Sequence, residues 1–476
     1  MPTIYASAPG TGSGGSGTSG SPYLSMKTAL EACSAGDTLI LKTGTYTYSM
    51  AWNTVTWPSG SSGSVITVQP ETFTPDTTRG IPAGTSSVIW RTTGGGALNF
   101  GVAGAGYWSF RGIDFDATNI TAATLNYIVH NYANNNIEFR NCKFSNRAQT
   151  SGAITDHIEY ANSIAQTTLR ANSVRYCWFT NANAAATSHD IYCRSSGNIF
   201  EHNLFESGTR GAAIQFFASN GAGYNIQQNT VRFNEFKDYG NFASNNANIL
   251  FSLNCSSNFV YGNLFYDSPT RIAIDFRGGS GISGDASGNV AAYNTIVNCL
   301  KGISVSTVVS GFSGTIVKKN IAYDNGSSSA DNYVDNGTAT VESGNSFDGT
   351  DPVFTDSAND DYTLSAGSPA GLKANSVLAG SPYDDVDYVG ATRDTTNPSI
   401  GAYEFDAAAT PEPPINVVPN PAGFTTTVNT AVLMEGVTIT DNNGTPLTNE
   451  AWLYADANGT FTAVDTSGGA TSVGNP

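Results

Sequence analysis

The chain has 476 residues, a formal net charge of −17 and only 12% charged residues. That length exceeds what one compact core organises, so it implies either several domains or a repeat that grows in one dimension. An acidic surface repels phosphate backbones and excludes a nucleic-acid partner. No apolar run approaches the ~18 residues of a membrane span, and 11% aromatic content argues against disorder.

Thr3-Ile4-Tyr5-Ala6-Ser7 predicts a strand, followed by a Gly/Ser-rich turn. Ser25 is placed to cap a short helix whose Met26, Ala29, Leu30 and Cys33 fall at i, i+3, i+4 and i+7. Gly36-Asp37 then turns the chain into Thr38-Leu39-Ile40-Leu41, and Gly44-Thr45-Tyr46 closes a first coil, making residues 1–48 an N-terminal cap. An amphipathic helix over an open end would cover the core and block end-to-end stacking. Met1-Pro2-Thr3-Ile4-Tyr5 lacks the basic start and apolar stretch of a signal peptide, so the expectation is a removed signal or release by another route, such as lysis.

Across residues 108–347 one pattern recurs nine times, including WSFRGIDF, IEFRNCKF, SVRYCWF, IFEHNLF, TVRFNEF and FVYGNLF. Its last position falls at Phe115, Phe144, Phe179, Phe205, Phe236, Phe265, Ile296, Ala322 and Phe347. A constant core with loops of unequal length predicts stacked coils, and the period-two alternation makes each pattern a strand. The residue two places earlier also points inward: Ile113, Cys142, Cys177, then Asn203, Asn234, Asn263, Asn294, Asn320 and Asn345. Six Asn at one phase predict an amide ladder that satisfies buried polar groups. The two Cys read as small apolar fillers at the head of that column. Six Cys in this length form no disulfide framework or CxxC metal pattern.

A second strand follows each turn: Asp190-Ile191-Tyr192-Cys193-Arg194 aligns with Ala213–Phe217, Asn248–Ser252, Ala273–Arg277 and Gly302–Ser306. The Ile and its second neighbour are expected to face in and the others out.

These segments carry a resemblance. The run from Ile4 to Tyr46, with its Ser-Pro-Tyr and Ala-Gly-Asp-Thr elements, resembles the opening of β-helix proteins of the pectate-lyase superfamily, nearest to the alginate lyase and chondroitinase B type. Asp351-Pro352-Val353-Phe354, Asp361-Tyr362-Thr363-Leu364, Ser368-Pro369-Ala370, Gly390, Arg393 and Ile400-Gly401-Ala402-Tyr403-Glu404 resemble the segment that closes such solenoids, although Gly371-Leu372-Lys373 stands where Asp-Ala-Gly is usual. The resemblance implies an all-β, right-handed single-stranded parallel β-helix over residues 1–405, with regular coils at 108–347 and a closing segment at 351–405. Residues 406–421, rich in Ala and Pro, predict a linker. Residues 422–476 predict a small β module, with a turn at Asp441-Asn442-Asn443-Gly444, completed by a partner or by trimerisation.

For activity, the resemblance implies a Lys or Arg base and a Ca²⁺ ion or Arg that neutralises a uronate carboxylate. Arg271 and Arg277 in one coil and Lys301 in the next are the nearest approximation, and a solvated surface explains them more cheaply. A glycosidase needs two carboxylates roughly 5–9.5 Å apart. Asp190 and Asp275 lie three coils apart, about 14 Å at the rung spacing, which leaves Asp275 to pair with a loop acid such as Asp267 or Asp285. His189-Asp190 is a candidate acid–base dyad, against the plainer reading of a strand-opening His. Asp348, Asp351, Asp356, Asp360 and Asp361 are candidate Ca²⁺ ligands but lack the EF-hand spacing, and turns account for them. Binding has the better footing: outward columns bring Tyr192, Arg194, Gln215, Phe217, Asp275 and Arg277 onto one face, an aromatic surface beside hydrogen-bonding groups suited to a sugar ring. The expectation is a phage tailspike, fibre or capsid decoration that binds, and in one version degrades, host polysaccharide, with residues 406–476 holding other virion proteins. The alternatives are a secreted polysaccharide lyase or glycosidase, and a structural adhesin.

Overall fold

The computed structural model describes residues 2–47, 55–74, 87–91, 98–100, 105–117, 126–132, 134–145, 155–161, 168–180, 189–206, 208, 211–218, 225–238, 247–277, 287–306, 313–380 and 382–405, with short strands between 439 and 472. The chain divides into two units, Met1–Asp406 and Ala407–Pro476.

The first unit is a parallel β-solenoid. Successive coils place strands in three sheets of twelve, ten and nine strands among the described residues. The first sheet runs from Thr3–Ala6 to Val341–Ser343, the second from Gly44–Tyr46 to Ile321–Tyr323, and the third from Leu98–Phe100 to Tyr333–Asp335. One continuous apolar core lies between them. The N-terminal helix spans Met26–Glu31, the Ser25 hydroxyl accepts from the Thr28 N–H at 3.2 Å, and Met26, Ala29 and Leu30 join that core.

The repeat read as one strand is two short strands joined by a corner. Ile199–Glu201 belongs to the first sheet and Leu204–Glu206 to the second, with His202-Asn203 between them. The first corner residue is left-handed: Asn141, Tyr176, His202, Phe233, Tyr293 and Lys319 have φ between 51° and 58°, and Gly112, Gly262 and Gly344 take the same place in other coils. That geometry costs a non-glycine residue on the order of 1 kcal/mol, and it turns the following side chain into the core.

There the ladder forms as expected. Asn203, Asn234, Asn263, Asn294 and Asn320 each donate from Nδ2 to Oδ1 of the Asn in the next coil, at 2.9–3.0 Å. Each Oδ1 also accepts the backbone N–H of the preceding Asn, as in Asn203 N to Asn234 Oδ1 at 2.9 Å. Cys142 and Cys177 head the column as free, buried thiols. Behind it the Phe column stacks at 5.1, 4.8, 4.7, 4.8 and 4.6 Å from Phe115 to Phe265.

A second ladder stands where the third sheet turns into the first. Asn172, Asn198, Asn229, Asn258 and Asn289 are linked Nδ2 to Oδ1 at 2.9–3.0 Å. Each lies five residues before a member of the first column, so its signal stood in the sequence as Asn-x₄-Cys/Asn.

Residues 351–405, expected to close the solenoid, pack along its side. Tyr362, Tyr388, Ala402 and Tyr403 cluster with Tyr261, Leu264, Tyr266, Ala292 and Tyr293 of the first two sheets and their corners. The buried Arg393 lies 4.0 Å from the Tyr293 ring and donates to the Gly401 and Ala402 carbonyls. Gly401 has φ +85°, and a Cβ there would meet Thr295 Oγ1 at 2.6 Å, so the close approach requires glycine. In the second unit, Glu450–Tyr454, Phe461–Asp465 and Ala470–Ser472 form an antiparallel sheet. The linker 406–421 and the turn 441–444 fall outside the described residues.

Replacing a mid-ladder residue, Asn263→Leu, strips the Asn234 backbone N–H of its acceptor and removes one of the three acceptors of its amide. At roughly 1–3 kcal/mol per buried group left unsatisfied, we expect a large drop in the urea midpoint. Asn345→Leu, at the half-buried end of the ladder, should cost clearly less, and equal losses would mean that the column does not act as a ladder.

Candidate functional site

On four successive rungs of the third sheet two consecutive residues face inward: Ile128-Val129, His157-Ile158, Asp190-Ile191 and Ala213-Ile214, all at most 1% exposed. A strand that turns two neighbours inward brings the residues on either side to the outer face. Tyr127 and His130 therefore stack across one strand at 4.3 Å, and His189 and Tyr192 across another at 5.4 Å.

This geometry corrects one expectation. Asp190 does not face out: it lies in the interior, with Oδ1 2.8 Å from Nδ1 of the fully buried His157. His189 and Asp190 thus point to opposite sides of the sheet, which removes them as a dyad. Arg271 is also buried, donates to the Gly211 carbonyl and adds its charge near Asp190, so it is no surface base.

The other nominated residues do share the outer face. Tyr192, Gln215, Leu250 and Asp275 are register partners in one column, and Phe217, Ser252 and Arg277 in the next. Leu250, buried against Ala212, Ala247 and Ile272, splits the face in two. On one side Asp275, 2% exposed, is held by Arg277 through Nε at 2.8 Å. Burial raises its pKa, and Arg277 works against that rise. Asp267 accepts from Asn298 Nδ2, and Asp285 falls outside the described residues. On the other side Tyr192, half-buried, lies 6.0 Å from Phe217, with Arg194 two residues along its strand.

The Tyr192 side leads to residues not nominated from the sequence. Tyr192 pairs in register with Glu159, and Glu159 with His130. Glu159 is 16% exposed and lies 3.8 Å from His130 Nε2. Burial pushes its carboxyl up to about 7, against the pull of Arg194. Burial also pushes His130 down to about 4, so the imidazole is neutral at neutral pH and this contact is not an ion pair there. Tyr127 is pushed up to about 12 by burial and by the Glu159 charge. Tyr192 is raised further by burial, then by the charges of Asp156 and Glu159, while Arg194 opposes the shift. Both phenols therefore stay protonated. Asp156, 3% exposed, is committed to the His189 N–H at 2.6 Å. The Ala212 N–H donates to His189 Nδ1 at 3.0 Å, so that nitrogen carries no proton.

The result is a carboxyl poised at neutral pH, flanked by two phenols and one guanidinium. The sequence held a signal for it: Asp156-His157-Ile158-Glu159-Tyr160 keeps the phase of His189-Asp190-Ile191-Tyr192-Cys193, which extends the strand alignment one coil upstream. Among the described residues no group of three or more His, Cys, Asp or Glu could hold a metal. Asp348, Asp351 and Asp361 each accept the N–H two residues on, as turns do.

No protein-family model matches the sequence, and no curated protein matches it. Solved structures do. The pectate lyase Pel9A is 16% identical with a TM-score of 0.54, over 85% of this chain and 96% of that one. A rhamnogalacturonan lyase is 14% identical with a TM-score of 0.48, over 83% and 96%. A protein described as Geobacillus virus E2 ORF18 is 13% identical with a TM-score of 0.42, over 99% and 86%. The first of these likenesses supports the fold: the chain folds as a parallel β-helix similar to that of Pel9A.

A carboxyl whose pKa is raised on folding binds extra protons in the native state, so its contribution to stability falls as pH rises through the window from its unfolded value of about 4.5 to about 7. Glu159→Gln should match the parent below pH 4 and exceed it above pH 7, by roughly 3 kcal/mol. Denaturant midpoints at both ends of that range check this, and a variant less stable at pH 8 contradicts it.

Proposed function

We propose that this chain binds polysaccharide along the outer face of its third sheet and cleaves it by β-elimination at a uronate, with Glu159 as the base. The carrying observation is a largely buried carboxyl with a pKa near 7 beside Arg194 and two protonated tyrosines. Catalytic bases work best when their pKa lies near the working pH. The likeness in fold to the pectate lyase Pel9A points to the same substrate class by analogy.

In the proposed step the Glu159 carboxylate takes the proton from the carbon next to the uronate carboxyl. Arg194 neutralises that carboxylate as charge develops on it. The electron pair left on carbon forms a C=C bond as the glycosidic C–O bond breaks. The Tyr192 hydroxyl, a donor because its pKa is raised, gives its proton to the departing oxygen and regains one from solvent. Glu159 releases its proton to solvent, so the balance is one proton lost from carbon, one gained by oxygen, and an unsaturated sugar at the new end. Phe217 offers an apolar surface beside Tyr192 for a sugar ring, and Gln215 a side-chain amide. Asp275 and Arg277 lie beyond Leu250, where they would meet a neighbouring sugar of a bound chain.

A hydrolase is less well supported, because Asp156, the carboxylate three residues from Glu159, is already engaged with His189. As for setting, the acidic, low-charge composition and the separate C-terminal unit support a virion-surface protein acting on host polysaccharide and held through residues 406–476. A secreted lyase is the alternative.

The test is release of unsaturated sugar from polyuronates, followed against pH. We expect the rate to rise as pH passes through about 7, Glu159→Gln to lower it on the order of 10²–10⁴-fold, and Tyr192→Phe to lower kcat. Reducing ends without unsaturated product would indicate hydrolysis. Full activity in Glu159→Gln would remove this residue as the base, and no cleavage of any polymer would leave a binding solenoid.

A further inference from the structure

The first sheet, on another side of the solenoid, carries a charge pattern that the Glu159 face does not use. One of its outward columns reads Arg111, Arg140, Arg175, Glu201 and Arg232 on five successive rungs. At the ~4.8 Å rung spacing this column spans about 19 Å. The whole chain has 21 Lys and Arg against 38 Asp and Glu, so four arginines in one column reverse its sign locally.

Like charges opposite one another destabilise a sheet, and internal pairing relieves only part of the repulsion. Glu138 lies 3.7 Å from Arg111, and Glu201 takes both Arg175 at 3.0 Å and Arg232 at 2.6 Å. Arg140, between Arg111 and Arg175, has no carboxylate partner among the described residues. Its guanidinium lies over the Tyr176 ring, 5.4 Å from the centroid. Arg111, Arg175 and Arg232 keep about a third of their side-chain surface exposed.

Aromatic rings border the same column. Tyr176 and His202 occupy left-handed corner positions and stack at 4.8 Å and 4°. Equivalent corners in other coils hold glycine, at Gly112, Gly262 and Gly344. Glycine takes this geometry without strain, so the backbone does not require a ring there. Just past the corner, Trp178 is half-buried with the Lys143 ammonium 4.6 Å from its ring.

We propose that this edge is a second binding track, for a uronate-rich polysaccharide. The arginines meet successive carboxylates, which the planar guanidinium pairs with in bidentate fashion, while Tyr176 and Trp178 take the apolar faces of the sugars. Charge complementarity carries the assignment: three arginines on successive rungs and a fourth beyond Glu201, on a protein otherwise acidic, fit a polymer with one negative charge per repeat. The track is independent of chemistry at Glu159 and stands if that residue proves inert.

The test is equilibrium binding of the full chain, at low and high salt, to a polyuronate, its carboxyl-reduced neutral form, a sulfated glycan and single-stranded DNA. The arginine variants are Arg140→Gln and Arg140→Lys. Tyr176→Gly removes a ring at a position where glycine suits the backbone, which keeps the fold intact. Lys27→Gln, which removes one exposed positive charge from the N-terminal helix, serves as the control. We expect salt-sensitive polyuronate binding that Lys27→Gln retains, that Arg140→Gln and Tyr176→Gly each weaken by about tenfold, and that Arg140→Lys weakens less. The proposal is overturned by unchanged binding in both Arg140→Gln and Tyr176→Gly, by an equal loss in Lys27→Gln, or by equal affinity for the neutral polymer. DNA or the sulfated glycan binding as tightly as the polyuronate would also overturn it, as a general polyanion surface.

Discussion

Every coil of this solenoid has to turn its backbone inside a packed wall, and a turned peptide cannot pair within its own coil. Unpaired buried amides cost on the order of 1–3 kcal/mol each, and the penalty would recur in every coil. The two Asn columns remove it. Each side-chain oxygen takes a backbone N–H and an amide N–H from the coil before, so each coil completes its neighbour. The solenoid holds together because its corners are satisfied in series.

That constraint fixes much else. Once the corners are pinned, the coils are in register and the inward Phe side chains have no choice but to stack, as they do at about 4.6–5.1 Å. The loops between corners are released from structural duty, and the repeat tolerates spacings from 25 to 35 residues. Residues 351–405 exploit the same regularity from outside, docking Arg393 against Tyr293 and Gly401 against Thr295.

The candidate site sits where the regular pattern is bent. In the third sheet two adjacent residues turn inward, which puts His157 and Asp190 inside, 2.8 Å apart, and lifts Asp156, Glu159, His189 and Tyr192 onto the outer face. Burial there acts in opposite directions on an acid and a base: Glu159 is pushed up and His130 down. His130 is thereby neutral near neutrality while Glu159 sits near the midpoint of its titration, and Arg194 supplies a nearby positive charge. A regular β alternation would have placed Asp190 beside solvent and could not have produced this arrangement.

The sequence by itself determined the parallel solenoid, the Phe column, the first Asn ladder and the phase of the third-sheet strands from Ile191 to Ile303. These were legible because each follows from a side chain recurring at constant phase. It also held the second ladder and the Glu159 strand, but only as weak echoes, Asn five residues upstream and Asp-His-Ile-Glu-Tyr one coil earlier. Tertiary structure alone decided the rest. The left-handed corner split one apparent strand into two, because φ is not visible in a period-two pattern. The inward double step turned Asp190 away from the surface, and the Leu250 rung separated Asp275 and Arg277 from Tyr192. Which carboxyl is poised near neutrality was likewise not readable, since a pKa depends on burial and on charges brought from other coils, and neither is a property of any local stretch of sequence.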